Sequence, residues 1–283
     1  MKVIADLHTH SNKSDGVLSP AQLIDKAVAR GLGVVALTDH NTLSGLREAE
    51  DYSKGKPIRF VPGVEFSCTA EDINWHEIHV LGLFINYESP SVVGLSEKVQ
   101  AHNVENKKQI IKKLNKLGYE ICFGELEEKF GGNISRMKIA ELLLSKYPEL
   151  KDLKNIFKKL VGFGKPAFVI PKRPLINEVV EAIRLAGGLS FLAHPKSYIH
   201  CKEIIGAFVE AGGEGIEVNY PYKIINGLEN EAELIKELKE VVVKHNLLVS
   251  GGADFHGGMR PVLLGERGLS GEEFEELLGK VNA

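Results

Sequence analysis

The segment Asp6–Gly16, DLHTHSNKSDG, follows a short apolar stretch and holds two histidines one residue apart, with an aspartate on either side. Imidazole and carboxylate groups are costly to bury unless a partner compensates them. The segment is therefore either a polar surface loop or part of a ligand-binding site. The rest of the sequence decides between these two interpretations.

The size and composition of the chain are those of an ordinary globular protein. Its 283 residues are 43% hydrophobic and 26% charged, enough for one large domain or for a domain with an insertion. No apolar run approaches the roughly 20 residues of a membrane span, and the apolar start leads at once into Asp6 and His8, unlike a secretory signal. Three widely separated cysteines, Cys68, Cys122 and Cys201, argue against a zinc ribbon or a disulfide framework. We expect a cytoplasmic protein without a membrane segment and see no sign of an obligate protein partner.

Charge is unevenly distributed along the chain. Between Leu95 and Leu175 there are 17 Lys and Arg against 9 Asp and Glu, although the whole chain has a net charge of −3. The same segment has a mostly helical pattern with no convincing strand. The imbalance predicts two structural units with different electrostatic roles.

Outside this basic segment, strand and helix patterns alternate. Ser19–Gly31 predicts a helix with Ser19 at the N-cap, Pro20 at the first helical position and Gln22 completing a capping box. Strand-like runs include VVALT, RFVPGVEFSC, IHVLGLFI, LSFLA, GIEVNY and LLVSG. This alternation predicts a parallel sheet with helices outside it.

Potential metal ligands stand at the ends of these predicted strands. They are His8, His10, Asp15, Asp39, His40, Glu65, His79, His194, Asp254 and His256. In a closed β/α barrel the strand ends meet on one face, where active sites are built. Such groups would repel or desolvate one another without partners, whereas divalent cations take imidazole and carboxylate as ligands. The pattern predicts a metal centre, and carboxylates able to bridge indicate more than one ion.

Six motifs resemble, in order, those of the PHP (polymerase and histidinol phosphatase) superfamily: DLHTHS, TDHN, GVEFS, IHVLG, LAHP and GADFHG. The resemblance runs from residue 3 to about residue 260 and is interrupted by the basic helical segment. It implies a metal-dependent phosphoesterase with an α/β fold, a distorted seven-stranded β/α (TIM-like) barrel. The barrel would comprise residues 1–94 and 175–283, and residues 95–174 would form a helical insertion domain that caps the barrel mouth.

The resemblance also implies up to three metal sites. The first would be held by His8, His10, Glu65 and Asp254, the second by Glu65, His79 and His194, and the third by Asp15, His40 and His256. Many family members have histidine where this chain has Asp15, and an oxygen ligand favours Mn or Mg at that site. We expect two or three divalent ions, with Mn ahead of Zn, Fe and Mg. Asp39 is expected to orient a ligating histidine rather than to bind metal.

The expected chemistry is attack on phosphorus by a metal-bound hydroxide. A water shared by two metals loses its proton near neutral pH, and the metals hold the phosphoryl oxygens and offset their charge. Asp254 would take part in catalysis as a ligand. His194 could instead protonate the leaving group, but not through a nitrogen that also binds metal.

Weaker signals concern the phosphate end of a substrate. The segment FGGNISR places Asn133 and Ser135 at a predicted helix start with Arg136 in the first turn, an arrangement suited to an anion and equally to a simple cap. GFGKP lacks the Ser or Thr of a P-loop, but GKPAFV resembles a segment of the nucleotide-phosphatase branch, which makes Lys165 a candidate phosphate contact. His76 lies close enough to His79 to be an alternative ligand.

The position of the insertion resembles the branch acting on nucleoside 3′,5′-bisphosphates and short RNA. Its basic charge suits an anion with two phosphates, while the lack of an aromatic-rich stretch makes long RNA a poorer candidate. One alternative is histidinol-phosphate phosphatase, although its cationic substrate would favour carboxylates in the cap. Alternatives of another class are a metal-dependent amidohydrolase, for which no candidate bridging lysine is found at a strand end, and a non-catalytic metal-binding module.

Overall fold

Seven strands form one sheet in which their order is the order of the chain. The computed structural model describes residues 2–71, 73, 77–131 and 134–281. The strands are β1 (Ala5–Asp6), β2 (Val34–Leu37), β3 (Arg59–Cys68), β4 (Ile78–Leu83), β5 (Leu189–Leu192), β6 (Gly215–Asn219) and β7 (Leu248–Gly251). Strands β2 to β7 lie on the six strand-like runs of the sequence, and β3 has the predicted bounds. β1 overlaps the short apolar stretch before His8.

One strand runs against the others, which corrects the expectation of an all-parallel sheet. β4 pairs antiparallel with both β3 and β5, and the remaining neighbours are parallel. Residues 69–77, which join β3 to β4, contain no helix among those described. A parallel pairing needs a crossover of about a dozen residues or more, so a shorter link favours a reversed strand. The start of β4 therefore lies beside the end of β3, with Ser67 opposite His79.

The first and last strands approach each other, so the sheet curls into a distorted barrel. The Leu7 amide donates to the Gly251 carbonyl at 3.1 Å, and Thr9 forms a parallel bridge with Phe255. Alternate residues of the strands share a buried apolar cluster with the C-terminal helix; its members include Ala5, Leu7, Val34, Ala36, Val61, Leu81, Leu83, Phe191 and Phe274. The barrel interior is therefore filled by side chains, as in other small barrels.

The first helix begins at a sequence signal that the chain carries locally. α1 starts with the predicted capping box between Ser19 and Gln22, with Pro20 in its first turn. The helices are α1 (Pro20–Ala29), α2 (Leu46–Ser53), α3 (Pro90–Lys116), α4 (Phe123–Phe130), α5 (Arg136–Lys146), α6 (Leu153–Ile156), α7 (Ile176–Leu185), α8 (Cys201–Glu210), α9 (Tyr222–Asn226), α10 (Glu231–His245) and α11 (Gly271–Val281). The sequence predicts helices over residues 44–54, 176–186 and 229–245, where α2, α7 and α10 lie, and none at α8, α9 or α11.

The chain divides into two compact units. The first comprises Met1–Glu97 and Arg173–Ala283 and contains the barrel, and the second is Lys98–Lys172. The second unit is helical, with no strand among its described residues, and has its own apolar core, which includes Ile110, Leu114, Leu126, Ile139, Leu143 and Ile156. In the described ranges no helix combines the length and apolar character needed to cross a membrane.

Candidate metal centre

The structure brings the nine predicted ligands together at one edge of the barrel. Strand ends supply most of them: His8 and His10 follow β1, His40 follows β2, and Asp254 and His256 follow β7. Glu65 lies within β3 and His79 near the start of β4, where the reversed direction of β4 places it at the same edge. His194 follows β5, and Asp15 lies in the loop after β1.

Glu65 is the buried centre of this cluster, and its two carboxylate oxygens face different histidines. Oε2 lies 3.3 Å from both His8 Nε2 and His10 Nε2 and 3.0 Å from His40 Nδ1. Oε1 lies 2.9 Å from His79 Nδ1 and 3.2 Å from His194 Nε2. One carboxylate can thus serve two ions, one on each side.

Asp254 closes the first of these sides. Its Oδ1 atom lies 3.2 Å from His10 Nε2 and 3.6 Å from His8 Nε2. Its Oδ2 atom accepts a hydrogen bond of 3.0 Å from the Tyr220 hydroxyl and one from Arg260. The backbone of Asp254 is left-handed, with φ of 50°, a conformation that costs a non-glycine residue energy and clusters at functional sites.

A third group forms around Asp15. Its Oδ1 atom is 3.2 Å from His256 Nε2, 3.8 Å from His40 Nε2 and 3.9 Å from His10 Nδ1. His256 Nδ1 lies 2.8 Å from the Asp254 carbonyl oxygen, which can only accept, so Nδ1 carries a proton. In neutral His256 the lone pair of Nε2 then faces the Asp15 carboxylate, and the two repel unless a cation lies between them.

The cluster passes a direct test of its fit to metal ions. Eight of its buried nitrogen and oxygen atoms have no hydrogen-bond partner among the described residues: Nε2 of His8, Nδ1 and Nε2 of His10, Oε2 of Glu65, Nδ1 and Nε2 of His79, Nδ1 of His194 and Nε2 of His256. Each such atom costs about 1–3 kcal/mol when it is left unsatisfied. Most are lone-pair donors that divalent cations bind, and three groups of these side chains have ligand atoms close enough to share an ion.

The pKa values within the cluster depend on burial and on the carboxylates of Glu65 and Asp15. Burial and the neighbouring His256 and His40 lower the pKa of His10 to about 3. Burial opposes protonation of His40 as well, but Glu65 and Asp15 outweigh it and raise the His40 pKa to about 9. Burial works against an ionised Glu65, yet the surrounding imidazoles hold its pKa well below the ordinary value. The site therefore attracts positive charge.

Asp39 holds the loop that follows His10. Its carboxylate accepts hydrogen bonds from the Ser11 amide at 2.8 Å and the Ser11 hydroxyl at 2.6 Å, and its role in orienting a ligating histidine stays a prediction. The carboxylate thereby fixes the backbone that follows His10. Its effect on an imidazole passes through this loop and not through a direct hydrogen bond.

Three residues of the site are missing from the sequence-based prediction: Glu217, Tyr220 and Arg260. Glu217 is fully buried in β6 and lies 3.0 Å from His8 Nδ1. A charged residue inside the apolar run GIEVNY is the signal that could have revealed it, because acids are almost never fully buried without a partner. Tyr220 and Arg260 carry no comparable signal, since both residue types are common on surfaces.

The predicted phosphate contacts lie in the second unit. Ser135 caps α5 by accepting a hydrogen bond of 3.2 Å from the Lys138 amide, and the Arg136 guanidinium lies 5.5 Å from the centre of the Phe168 ring. Lys165 is exposed. Asn133 and His76 lie outside the described residues.

A curled β/α sheet with a cluster of imidazoles and carboxylates at its strand ends defines a metal-dependent hydrolase. Residues 6–169 match the PHP domain family, and the chain belongs to that family. It is a metal-dependent phosphoesterase, which confirms the predicted fold, reaction class and dependence on divalent metals.

Three known proteins illustrate the relationship. The chain is 32% identical over 257 residues to a 5′-3′ exoribonuclease of Haemophilus influenzae, covering 89% of each chain. It is also 32% identical over 260 residues to a 3′,5′-nucleoside bisphosphate phosphatase of Chromobacterium violaceum, covering 89% of this chain and 86% of that one. A solved structure from Chromobacterium violaceum, described as an amidohydrolase with bound sulfate and no metal, superposes with a TM-score of 0.79 at 29% identity over 98% of this chain and 96% of that one.

Proposed function

We propose that the protein hydrolyses phosphate esters of small nucleotides, either nucleoside 3′,5′-bisphosphates or short oligoribonucleotides. The observation that carries the proposal is the charge of the second unit, Lys98–Lys172, which holds 16 Lys and Arg against 8 Asp and Glu. Such a field concentrates polyanions. The names of the two relatives above, a nucleoside bisphosphate phosphatase and an exoribonuclease, support the same substrate class.

The proposal includes the ligand sets. His8, His10, Glu65 and Asp254 hold one ion, Glu65, His79 and His194 a second, and Asp15, His40 and His256 a third. The division of the Glu65 oxygens between two groups of histidines supports the first two sets. The Asp15 oxygen supports a hard ion such as Mn at the third, and we propose Mn as the preferred metal throughout.

When bound, divalent cations acidify water and offset phosphoryl charge. The side chains of this chain hold the ions around Glu65 and exclude bulk water, since His8, His10 and Glu65 are fully buried. His194 Nε2 faces Glu65. If that nitrogen binds an ion, Nδ1 is the one left to pass a proton to a leaving group.

Side chains in the second unit supply the proposed nucleotide contacts. Arg136 lies against Phe168, and Phe163 packs on the same ring with centroids 5.3 Å apart. Phe163 is 74% exposed, and Lys165 lies two residues further on. An exposed ring packed on Phe168, which Arg136 also contacts, suits a nucleobase attached to phosphate, because aromatic stacking and charge can then act together.

The substrate class is tested by phosphate release with added Mn from four compounds: adenosine 3′,5′-bisphosphate, histidinol phosphate, a short 5′-phosphorylated RNA and an aryl phosphate. We expect the bisphosphate or the RNA to have the highest kcat/KM. A preference for histidinol phosphate would contradict the nucleotide assignment, and equal values for all four would assign the basic unit no role in selection.

A cytoplasmic location is part of the proposal. All three cysteines are free, with Cys68 buried, Cys122 exposed and Cys201 half-buried. An exposed free thiol suits a reducing compartment. Fractionation of cells that express the protein, with a cytoplasmic marker as the reference, tests the location.

A further inference from the structure

Glu217 is a fully buried carboxylate at the metal centre, yet it belongs to none of the proposed ligand sets. It lies in the middle of β6, and its exposed fraction is 0%. The three groups of side chains that could share an ion do not include it. A buried acid of this kind must be explained by the groups that its oxygens contact.

One of those groups is the His8 ring. His8 Nδ1 lies 3.0 Å from Glu217 Oε1 and 3.2 Å from Oε2. An ionised carboxylate only accepts hydrogen bonds, so Nδ1 carries the proton. The other ring nitrogen, Nε2, then turns its lone pair toward Glu65 Oε2 at 3.3 Å and Asp254 Oδ1 at 3.6 Å, where a cation would be held.

The second group is the backbone of His194. Its amide donates to Glu217 Oε2 at 2.8 Å. His194 has φ of 33°, in the left-handed region, which is unfavourable for a residue with a side chain. A hydrogen bond to an ionised acceptor offsets that cost. The resulting conformation directs His194 Nε2 toward Glu65 Oε1 at 3.2 Å.

We infer that Glu217 is a positioning residue that couples two metal ions through their ligands. One oxygen sets the tautomer of His8 for the first ion, and the other fixes the backbone of His194 for the second. This inference rests on the metal sites of the proposed function but not on the identity of the substrate. Loss of the Glu217 carboxylate weakens binding on both sides of Glu65.

The Glu217→Gln variant cannot fill both roles at once, because glutamine has a single acceptor oxygen. If that oxygen keeps His8, the amide NH₂ faces the His194 N–H and both are donors; the reverse arrangement sets NH₂ against the proton on His8. We expect Mn²⁺ to bind about 10–100-fold more weakly, the usual consequence of losing a partner of a ligating histidine.

Glu214→Gln is the matched control. Glu214 directly precedes β6, and its carboxylate accepts from the Ser190 amide at 2.8 Å and from the Ser190 hydroxyl at 3.3 Å. It therefore also bonds a backbone amide of β5, but at the opposite end of the strand from His194. One oxygen of Glu214 accepts both bonds, so glutamine can keep them through its amide oxygen while the charge is lost. No ligand is touched, and Mn²⁺ affinity should stay within about threefold of the wild-type value.

The wild-type protein and both variants are freed of metal with a chelator and titrated with Mn²⁺ by calorimetry. Thermal unfolding without metal shows whether each variant is folded. Weaker Mn²⁺ binding in Glu217→Gln alone supports the inference, and wild-type affinity in Glu217→Gln would overturn it.

Nitrogen NMR of Zn²⁺-loaded wild-type protein gives a second measurement that needs no variant. A proton on His8 Nδ1 with the ion on Nε2 supports the inference, and the reverse assignment overturns it. Neither readout depends on phosphate release, so a wrong substrate class would leave both results interpretable.

Discussion

Replacing Glu65 with glutamine removes one charge at the centre of the cluster while keeping the shape of the side chain. In the native protein Oε2 serves the side of His8, His10 and His40, and Oε1 serves the side of His79 and His194. Glutamine has one oxygen for these two sides. Whichever side receives the amide nitrogen has a hydrogen-bond donor where an ion needs a ligand.

The expected loss of activity follows from the ligands that remain on each side of residue 65. Without a Glu65 oxygen, the second set keeps only two neutral imidazoles, His79 and His194, too few for the usual ligand number of a divalent cation. We expect one fewer ion per chain. An ion that offsets phosphoryl charge contributes several kcal/mol to the transition state, so losing about 4 kcal/mol lowers kcat about 10³-fold.

Two assays measure these effects. Calorimetric titration with Mn²⁺ gives the number of ions bound, and hydrolysis of an aryl phosphate gives kcat without any contribution from nucleotide contacts. Thermal unfolding in the presence of a chelator shows whether Glu65→Gln is folded. A folded variant with the wild-type number of ions and kcat within tenfold of wild type would show that Glu65 does not bridge two ions.

Four further predictions concern the site and the second unit. Asp254→Ala abolishes turnover on every substrate while thermal unfolding stays cooperative; near-wild-type kcat would remove Asp254 from the ligand set. Arg136→Ala lowers kcat/KM for adenosine 3′,5′-bisphosphate about 10–100-fold, the loss of one charge-assisted contact, and changes kcat/KM for an aryl phosphate little. The control Lys116→Ala, an equal charge change in the same unit, has a small effect. Equal losses in both variants would mean that only the overall field of the unit matters. The pKa of His40 is about 9 in the metal-free protein, so Mn²⁺ must displace a proton when it binds. We therefore expect Mn²⁺ affinity to rise between pH 6 and 9. Calorimetry in buffers of different ionisation enthalpy measures the released proton, and the absence of proton release would contradict the prediction. Gly252→Ala places a Cβ 2.4 Å from the Cβ of His8. This overpacking lowers the free energy of unfolding by about 1–3 kcal/mol and weakens Mn²⁺ binding. An unchanged free energy of unfolding and unchanged Mn²⁺ affinity would show that the strand ends can move apart.

Much of the fold could be predicted from local patterns. The apolar runs marked every strand, and Ser19, Pro20 and Gln22 marked the start of α1 because capping chemistry is local. The direction of β4 could not be predicted in this way. Alternation of apolar residues has the same period in either direction, and the pairing of Ser67 with His79 depends on contacts between strands.

The candidate ligands could be predicted because histidine and carboxylate side chains at strand ends are conspicuous against apolar runs. Their supporting residues were harder to find. The contact of Glu217 with His8 and the contact of Arg260 with Asp254 join residues far apart in sequence or in a loop. Asp39 stands beside His40 in sequence, but its carboxylate bonds Ser11, since loop geometry and not sequence proximity sets its partner.

The central claim is that the cluster around Glu65 binds more than one divalent ion. Anomalous diffraction from a crystal of the protein soaked in Mn²⁺ tests it most directly. We predict at least two peaks, one between His8, His10, Asp254 and Glu65 Oε2 and one between His79, His194 and Glu65 Oε1. A single peak away from Glu65, or no peak in protein that releases phosphate with Mn²⁺, would contradict the account.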